Sequence, residues 1–546
     1  MLLANNRIEL DARSTPLEQA VLEVVMIGHC PTSGDAATAD GSGTTTYPER
    51  LDGVRWDRIA RDEQLLAEIS RLGFSREASR LRRFVEALDT GAPVTPEQGD
   101  ALLKELYKLP VPLRSFGQFQ SLFPAAFSSA AKYRSVLGGE RAWLPLAVQD
   151  FFENSSGKNT LTLWIIRVDE SEGSSAFLPT PGADMLNPDT LGAFERALLV
   201  PRAGILALPD LERLQIPANL PDIPRLHLVN PKPVFLPCGS EPDDNHRERR
   251  YSGEISRKEQ LLDPEAVIVP IVMTLAQLRP DMQCLLTVPL AASPGSERPG
   301  PDPRFLDTVA SSTLSDGGTG GSRDRLIESL RHLQLLYPYL KGSDRLLGSP
   351  AGLVAGMQAA VSQEHGAWRS IGERPLPGRS LPWPPLNQNS ATALRERPGI
   401  TTLLYRGGRT VVDDERLCSS CLPALSMMQL SEERRSEEQW RSAEIMRFMG
   451  WLRRELQALG ERMVFAVDPR DPRPAVALNA FFTQLFSRGA LRGARVEEAF
   501  SITRRIGNEG EIAFDIEIAP AYPIDRLHIA FMQDRHTAAT IGINHD

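Results

Sequence analysis

Three groups of residues in this 546-residue chain have types that could do chemistry. The first is SSGKNT, from Ser155 to Thr160, a small-residue turn ending in Gly-Lys-polar, as in loops that cradle phosphate. That chemistry needs a Gly five residues before the Gly of the GK pair, where Phe152 stands, and a Ser or Thr after the Lys, where Asn159 stands. It also needs strand, loop and helix in that order, so that amides and the helix dipole face the anion. Here the helical segment LPLAVQDFF comes first and the strand TLTLWIIRV follows. Asn154, Ser155, Ser156 and Gly157 therefore read as a helix end and turn, with Lys158 in water.

The second group is CSSC at 418–421, a single C-x-x-C in a polar loop. A structural zinc site takes four ligands, and no second C-x-x-C or H-x₃₋₅-H pair exists. With Cys30, Cys238 and Cys284 the five cysteines are an odd, sparse set that fits a reducing compartment, with free thiols. The third group is the eight histidines, scattered without metal spacing. His365 could be drawn into a triad with a distant Ser and Asp, but no G-x-S-x-G elbow supplies the nucleophile. The residues thus offer no catalytic, cofactor-binding or metal site. An α/β nucleotide-binding enzyme stands only as an alternative.

Composition narrows the remaining classes. The net charge of −9 and a pI near 5.6 argue against a general nucleic-acid binder. MLLANNRIELDAR lacks the basic and apolar regions of a signal peptide. The charge-free run Ala266–Leu278 is 13 residues long, contains Pro270, and falls short of the roughly 20 needed to span a bilayer. A protein made in the bacterial cytoplasm, without membrane insertion, is expected. The 41% apolar residues suffice for sizeable cores, and 43 prolines with 41 glycines imply many turns.

The elements that would position any site alternate. VVMI within 18–28 reads as a buried strand, and PTSGDAATADGSGTTTYP as a linker. Residues 56–107 carry helical apolar spacing in three segments, with Ser75 and Thr95 as N-cap signals. From 111 onward, helix and strand alternate: LPLAVQDFF, TLTLWIIRV, LGAFERALLV, AGILALPDL, then DMQCLLTVPLA as a strand. RDRLIESLRHLQLLYPYL reads as a helix with Leu326, Leu330 and Leu333 on one face. This pattern predicts an α/β sheet with helical cover. TTLLYRGGRTVV reads as a strand pair turning at Gly407-Gly408. Residues 436–459 form an amphipathic helix with Trp440, Ile445, Met449, Leu452, Leu456 and Leu459 as its stripe and Arg447, Arg453 and Arg454 on other faces. MVFAVD is a strand, PAVALNAFFTQLFSRGAL a helix, and EIAFDIEIAP and RLHIAFMQD alternate as strands.

Several segments, in order over 115–531, resemble the tail sheath family of contractile bacteriophages and related injection machines. AVQDFFENSSGKNTLTLWIIRV (147–168) is similar to that family's A-V-x-G-F-F-x-N-G-G-x-x-x-Y-V-V-R-V. SFGQFQSLFP (115–124) and LQLLYPYLKG (333–342) parallel its S-x-x-F-x-x-x-F-G and A-L-Y-Y-P-W segments. SPAGLVAGMQAAVSQEHGAWRSIGERPLPG (349–378) resembles P-P-S-G-x-V-A-G-x-x-A-x-x-D-x-x-R-G-V-W-x-A-P. LNQNSATALRERPGITTLLYRGGRTV (386–411), FFTQLFSRGALRGARVEEAFSI (481–502) and EGEIAFDIEIAPAYPIDRLHIAF (509–531) follow three further family segments. The chain departs from the pattern in lacking the T-P-G-V-Y-x-x-E opening arm, in H-G-A-W for R-G-V-W, and in the expansions at 56–107 and 215–325.

The resemblance implies a multidomain α/β sheath-like architecture. An α+β inner core domain would be built from N- and C-terminal segments, with a middle α/β domain and a small helical insertion. The boundaries it suggests are 1–30 (N-terminal arm and first strand), 31–110 (linker and insertion), 111–345 (middle domain, with flexible excursions in 215–325) and 346–546 (C-terminal core with a terminal strand arm). It implies a structural subunit that stacks as six-fold rings around an inner tube and contracts to drive the tube through a target envelope. A minor baseplate- or cap-proximal component is the alternative within the family. Partners would be copies of itself, an inner tube protein, and baseplate and cap proteins, within a virion or phage-tail-like particle, with no nucleic acid and no cofactor. Strand exchange between neighbours would use Ile8 and Leu10 at one end and Leu527, Ile529 and Phe531 in an edge strand at the other. Arg488, Arg492 and Arg495 would form the basic face toward the tube.

Overall fold

The computed structural model describes residues 21–32, 53–91, 96–124, 141–155, 161–216, 262–291, 299–310, 328–343, 346–378, 380–396, 399–418, 442–463, 471–506, 512–521, 527–533 and 540–544. At its centre lies a sheet of eight strands: β1 (Glu23–Gly28), β2 (Val111–Leu113), β3 (Leu163–Arg167), β4 (Ala203–Ala207), β5 (Gln283–Thr287), β6 (Leu333–Tyr337), β7 (Thr401–Arg406) and β8 (Arg409–Val412). Their order is β8-β7-β6-β5-β4-β1-β3-β2. The six inner strands run parallel; β8 and β2 close the edges antiparallel. Parallel strands are covered on both faces, so their sequences are continuous apolar runs rather than alternations. EVVMIG, LWIIR, AGILA and QCLLT fit this description, and nearly every residue in them is buried.

The same physics explains a misread element. Residues 323–340, expected as a helix, contain β6, placed between β5 and β7. Leu330 opens a short 3₁₀ turn with Arg331 and His332, and Leu333 opens the strand. A five-residue apolar run such as LQLLY satisfies helical spacing and a fully buried strand equally well. Leu326 lies outside the described residues.

Helices α1 (Trp56–Arg61), α2 (Glu63–Ile69), α3 (Ser75–Asp89) and α4 (Pro96–Leu106) make up the insertion. Its cap is Asp62, whose side chain accepts the N–H groups of Gln64 and Leu65. Ser75 caps nothing: it continues from the wide turn Ser70–Phe74, which is broken at Gly73 (φ 98°), and Thr95 lies outside the described residues. The insertion is not a separate core. Trp56, Ile59, Ile69, Phe74 and Leu81 are buried in one cluster with the large sheet. The Arg167 guanidinium at the end of β3 sits 5.4, 4.4 and 5.7 Å from the rings of Trp56, Tyr107 and Phe123.

Helices α5 (Leu144–Phe152), α6 (Ala193–Leu198), α7 (Pro209–Leu214), α8 (Pro264–Leu278) and α9 (Ala351–His365) cover the sheet. The expected boundary at 345/346 runs through it, because Thr401 and Thr402 of β7 pair with Leu336 and Tyr337 of β6. Strand β1 lies mid-sheet, between β3 and β4. A smaller α+β unit with its own core follows at the C-terminal end.

Candidate assembly interface

The C-terminal unit consists of α10 (Ala443–Met463), α11 (Arg473–Ser487) and an antiparallel sheet of four strands. These are β9 (Phe500–Ile506), β10 (Ile512–Ile518), β11 (Leu527–Gln533) and β12 (Thr540–Asn544), in that order. The expected stripe Ile445, Met449, Leu452 and Leu456 is buried, with Leu459 partly so; Trp440 lies outside the described residues. Phe514, Ile516 and Ile518 are buried while Ala513, Asp515 and Glu517 are half-buried, the period-two signature of a sheet covered on one face.

The register sets Leu527, Ile529 and Phe531 opposite Ile518, Ile516 and Phe514 of β10. On the other side Ile529 and Phe531 face Ile543 and Ile541 of β12. The strand expected at the edge is therefore internal in the folded chain, and the edges are β9 and β12. TIGIN, read as part of a polar tail, alternates isoleucines well enough to take the outer place. Ile8 and Leu10 lie outside the described residues. Arg488, Arg492 and Arg495 are exposed in the segment between α11 and β9. Exposed Glu497 and Glu498 lie in the same segment, and Glu498 Oε2 accepts the Ala494 N–H at 2.8 Å. The segment is thus of mixed charge.

Two buried ion pairs fix α10 to the large sheet. Arg447 donates to both Glu415 oxygens, at 2.8 and 3.2 Å, and to the Arg369 carbonyl. Glu415 also accepts Gln358 Nε2, Ser370 Oγ and the Ile371 N–H. Burial opposes its charge, but the Arg447 guanidinium and these hydrogen bonds hold the carboxyl below the usual range. One turn away, Glu444 has no comparable partner, and burial together with the Glu415 charge pushes it up to about 8. Arg454 reaches Asp281 Oδ2 and its carbonyl at 2.9 and 2.8 Å, beside Arg279. At Gly450 a Cβ would lie 2.2 Å from the Asp281 carbonyl oxygen, so only glycine lets the helix come this close. Arg447 and Arg454, placed off the apolar stripe by periodicity, are thus anchors; their partners, 32 and 173 residues away, leave no local signal.

The segments with family resemblance meet in space. AVQDFFEN forms the end of α5, and SPAGLVAG opens α9. A Cβ at Gly352 would come within 2.3 Å of the Ala147 carbonyl oxygen, and one at Gly356 within 2.5 Å of the Phe151 carbonyl oxygen. Asn154 Nδ2 donates across the pair to the Leu353 carbonyl at 3.1 Å. Trp368, of the H-G-A-W stretch, leaves this junction and packs edge-on against Phe448, its ring centroid 5.8 Å away, within the C-terminal core.

The parallel strands, taken in chain order, reverse direction between β1 and β4, and open α/β sheets bind ligands outside the carboxyl ends at such a point. Here the chain fills the crevice itself. The fully buried Asp210 carboxylate accepts the N–H groups of His29, Trp143 and Leu144 at 2.9, 2.9 and 2.8 Å, and Arg213 Nε lies 3.0 Å away. Leu144 opens α5, so a side-chain carboxylate stands where the dipole would receive an anion. Burial lowers the pKa of His29, keeping the ring neutral beside Arg213 Nη2 at 2.9 Å. The order α5, turn, β3 is as expected around SSGKNT, of which only Ser155 is described. Among the described residues no three His, Cys, Asp or Glu side chains gather as metal ligands, and no helix is long and apolar enough to cross a membrane. Cys418 is buried; Cys421 lies outside the described residues.

No known family's sequence model matches the chain, and no curated protein does. Solved structures do. The sheath complex of an extracellular contractile injection system, PVC, in its contracted state is 12% identical, with a TM-score of 0.42 over 76% of this chain and 83% of that one. The contracted helical sheath of the anti-feeding prophage AFP is 15% identical, with a TM-score of 0.44 over 79% and 88%. A sheath tail protein from Desulfitobacterium hafniense is 7% identical, with a TM-score of 0.33 over 49% and 52%. These three are structures of sheath proteins, the family that this chain's sequence segments resemble.

Proposed function

We propose that this chain is a structural sheath subunit that polymerises as six-fold rings around an inner tube and contracts to drive that tube through a target envelope. The observation that carries the reading is the junction of α5 and α9. Two segments 200 residues apart that resemble one family pack backbone to backbone, through Gly352 and Gly356 of the resembling motif. The filled crevice at Asp210 favours a scaffold over a nucleotide-binding enzyme.

Within this reading, copies are linked by strand addition at the C-terminal sheet. Its edges β9 and β12 offer main-chain groups to a neighbour, and Ile8 and Leu10 belong to a segment of the right pattern to take one edge. Leu527, Ile529 and Phe531 belong to β11, the internal strand next to the β12 edge. Main-chain pairing can hold such a mesh while rigid bodies rearrange, because it does not depend on side-chain fit. Arg488, Arg492 and Arg495 face the inner tube. Baseplate and cap proteins bound the polymer, and the particle is a virion or a phage-tail-like machine assembled in the bacterial cytoplasm.

The test is electron microscopy of the purified chain with and without its last strands. The full chain is expected to form striated rods, and a truncation lacking 526–546 to remain unpolymerised. Rods from the truncated chain would refute the strand-addition model. ATP or GTP binding that disappears in Lys158→Ala would overturn the structural reading altogether.

A further inference from the structure

We propose that Arg331, Arg453 and Arg454, gathered where α10 meets the amino ends of the parallel strands, bind a small oxyanion of the phosphate or sulfate class. The site goes beyond the sheath reading and does not depend on it.

The large sheet supplies one side. β5 and β6 are parallel neighbours with Cys284 opposite Leu333, so the residues just before them, Asp281–Met282 and Arg331–His332, stand at the same end. The His332 ring agrees, with Nδ1 3.0 Å from the Met282 carbonyl oxygen. α10 supplies the other side. Gly450 lets it approach the Asp281 backbone, and one turn further Arg454 Nη1 meets Asp281 Oδ2 at 2.9 Å. Arg453 is the preceding residue of the helix. Open α/β sheets bind their usual ligands at the carboxyl ends, so this is the opposite edge from the crevice that Asp210 fills.

The buried counter-charge here, Asp281, already pairs with two arginines. Arg279 reaches both of its oxygens at 2.8 Å and turns its remaining donors to main-chain carbonyls between Leu198 and Ala203. Burial opposes the Asp281 charge, but Arg279 and Arg454 hold its carboxyl well below the usual range.

Donors are left over. Arg453 is half-buried, and among the described residues it has neither a hydrogen bond nor an ion pair. Burial works against its charge, which Asp281 favours and Arg279 opposes. Arg454 Nη2 is buried without an acceptor, on a side chain only 10% exposed. A Cβ at Gly204 would lie 2.7 Å from that nitrogen, so the glycine leaves it room. Arg331 is half-buried as well. Exposed Glu328 acts on Arg331, and Glu455 on Arg454, to relieve part of the charge. Burial, with Arg331 and Arg453 among the surrounding charges, holds His332 down at about 4, so that ring stays neutral.

A guanidinium taken out of water without a partner is costly. What relieves it is a ligand with negative charge and several acceptors. An oxyanion has both, in a geometry that suits the guanidinium fork. Half-buried side chains favour a small ion over a chain segment. Seated between Arg331 and Arg453, the ion bridges the sheet and α10 beside the Asp281 contact.

The experiment is isothermal titration of the full-length chain with sodium phosphate near neutral pH, against sodium chloride at equal ionic strength. One saturable site per chain is expected for phosphate and none for chloride. Arg453→Gln and Arg331→Gln should each weaken phosphate binding at least about tenfold, the loss of one charge-assisted contact. Arg71→Gln, an exposed position in the insertion, should leave it unchanged. Thermal unfolding is the second readout. Phosphate is excluded from protein surfaces and raises any midpoint, so the quantity read is the rise in the parent chain beyond that in Arg453→Gln. Without phosphate, Arg453→Gln should unfold no earlier than the parent, because it breaks no pairing. Absence of saturable phosphate binding by the parent chain overturns the site, as does equal binding by the parent and both glutamine variants. An earlier midpoint for Arg453→Gln without phosphate would reveal a protein partner for Arg453 and overturn it too. Rod formation bears on the sheath reading alone.

Discussion

The Arg447 guanidinium grips both oxygens of the Glu415 carboxylate, with neither side chain more than 1% exposed. The pair joins a helix of the C-terminal unit to the end of the large sheet. Removing one partner strands a buried charge, which costs about 3–5 kcal/mol. Arg447→Ala should therefore lower the stability of the full chain by that amount in urea unfolding followed by tryptophan fluorescence. Trp451 and Trp368, in the adjoining core, report the loss directly. A loss below about 1 kcal/mol would mean that the pair is solvated and is no anchor.

Glu444 gives the interface a pH dependence. Its folded pKa, near 8, lies above the ordinary 4.5, so the folded state holds a proton that the unfolded state has released. The associated stability is complete below about pH 4.5 and is lost as pH rises toward 8. Glu212, buried and also raised to about 8, acts in the same direction. The urea midpoint should fall between pH 5.5 and 8.5, and fall less steeply in Glu444→Gln. Equal slopes for the two chains would rule out the assignment.

Glycine to alanine inside a helix ordinarily stabilises by about 1 kcal/mol. At Gly352 and Gly356 the sign should reverse, because the added Cβ meets the backbone of α5. Each substitution is expected to cost about 1–3 kcal/mol. Thermal unfolding decides it, and a raised midpoint in either variant would contradict the close approach.

Asp210→Ala leaves three inward N–H groups without their acceptor and Arg213 without its nearest carboxylate. A loss of about 3 kcal/mol or more is expected. Acetate or formate should restore part of it, where chloride at equal ionic strength should not. Failure of both small carboxylates to raise the unfolding midpoint would show that the donors disperse once Asp210 is gone.

Much of this could be read from residue order. β1, β3, β4 and β5 announce themselves as apolar runs rich in Val, Ile and Leu, bounded by polar turns. The stripe of α10 is legible by the same spacing argument. β6 was not, because five apolar residues carry no period that separates helix from buried strand. Ser75 has the chemistry of a cap but not the position, since the preceding helix runs into it through Ser70–Phe74. Arg447, Arg454 and Asp210 were illegible for a different reason. Their roles are set by partners brought near only by the fold, and a charged residue in sequence says nothing of what will surround it. The place of β11 inside its sheet depended likewise on TIGIN, whose pairing partner is a matter of topology.

The carboxylate at the switch point has a consequence for the proposed sheath polymer, which would be built from many identical copies. A crevice occupied by a diffusing ligand is filled in some molecules and empty in others, according to supply. Asp210 is encoded, so at this crevice occupancy is one per chain from synthesis onward. A lattice built from such chains carries no scatter from partial loading there, and its members are interchangeable at that point from the moment they fold.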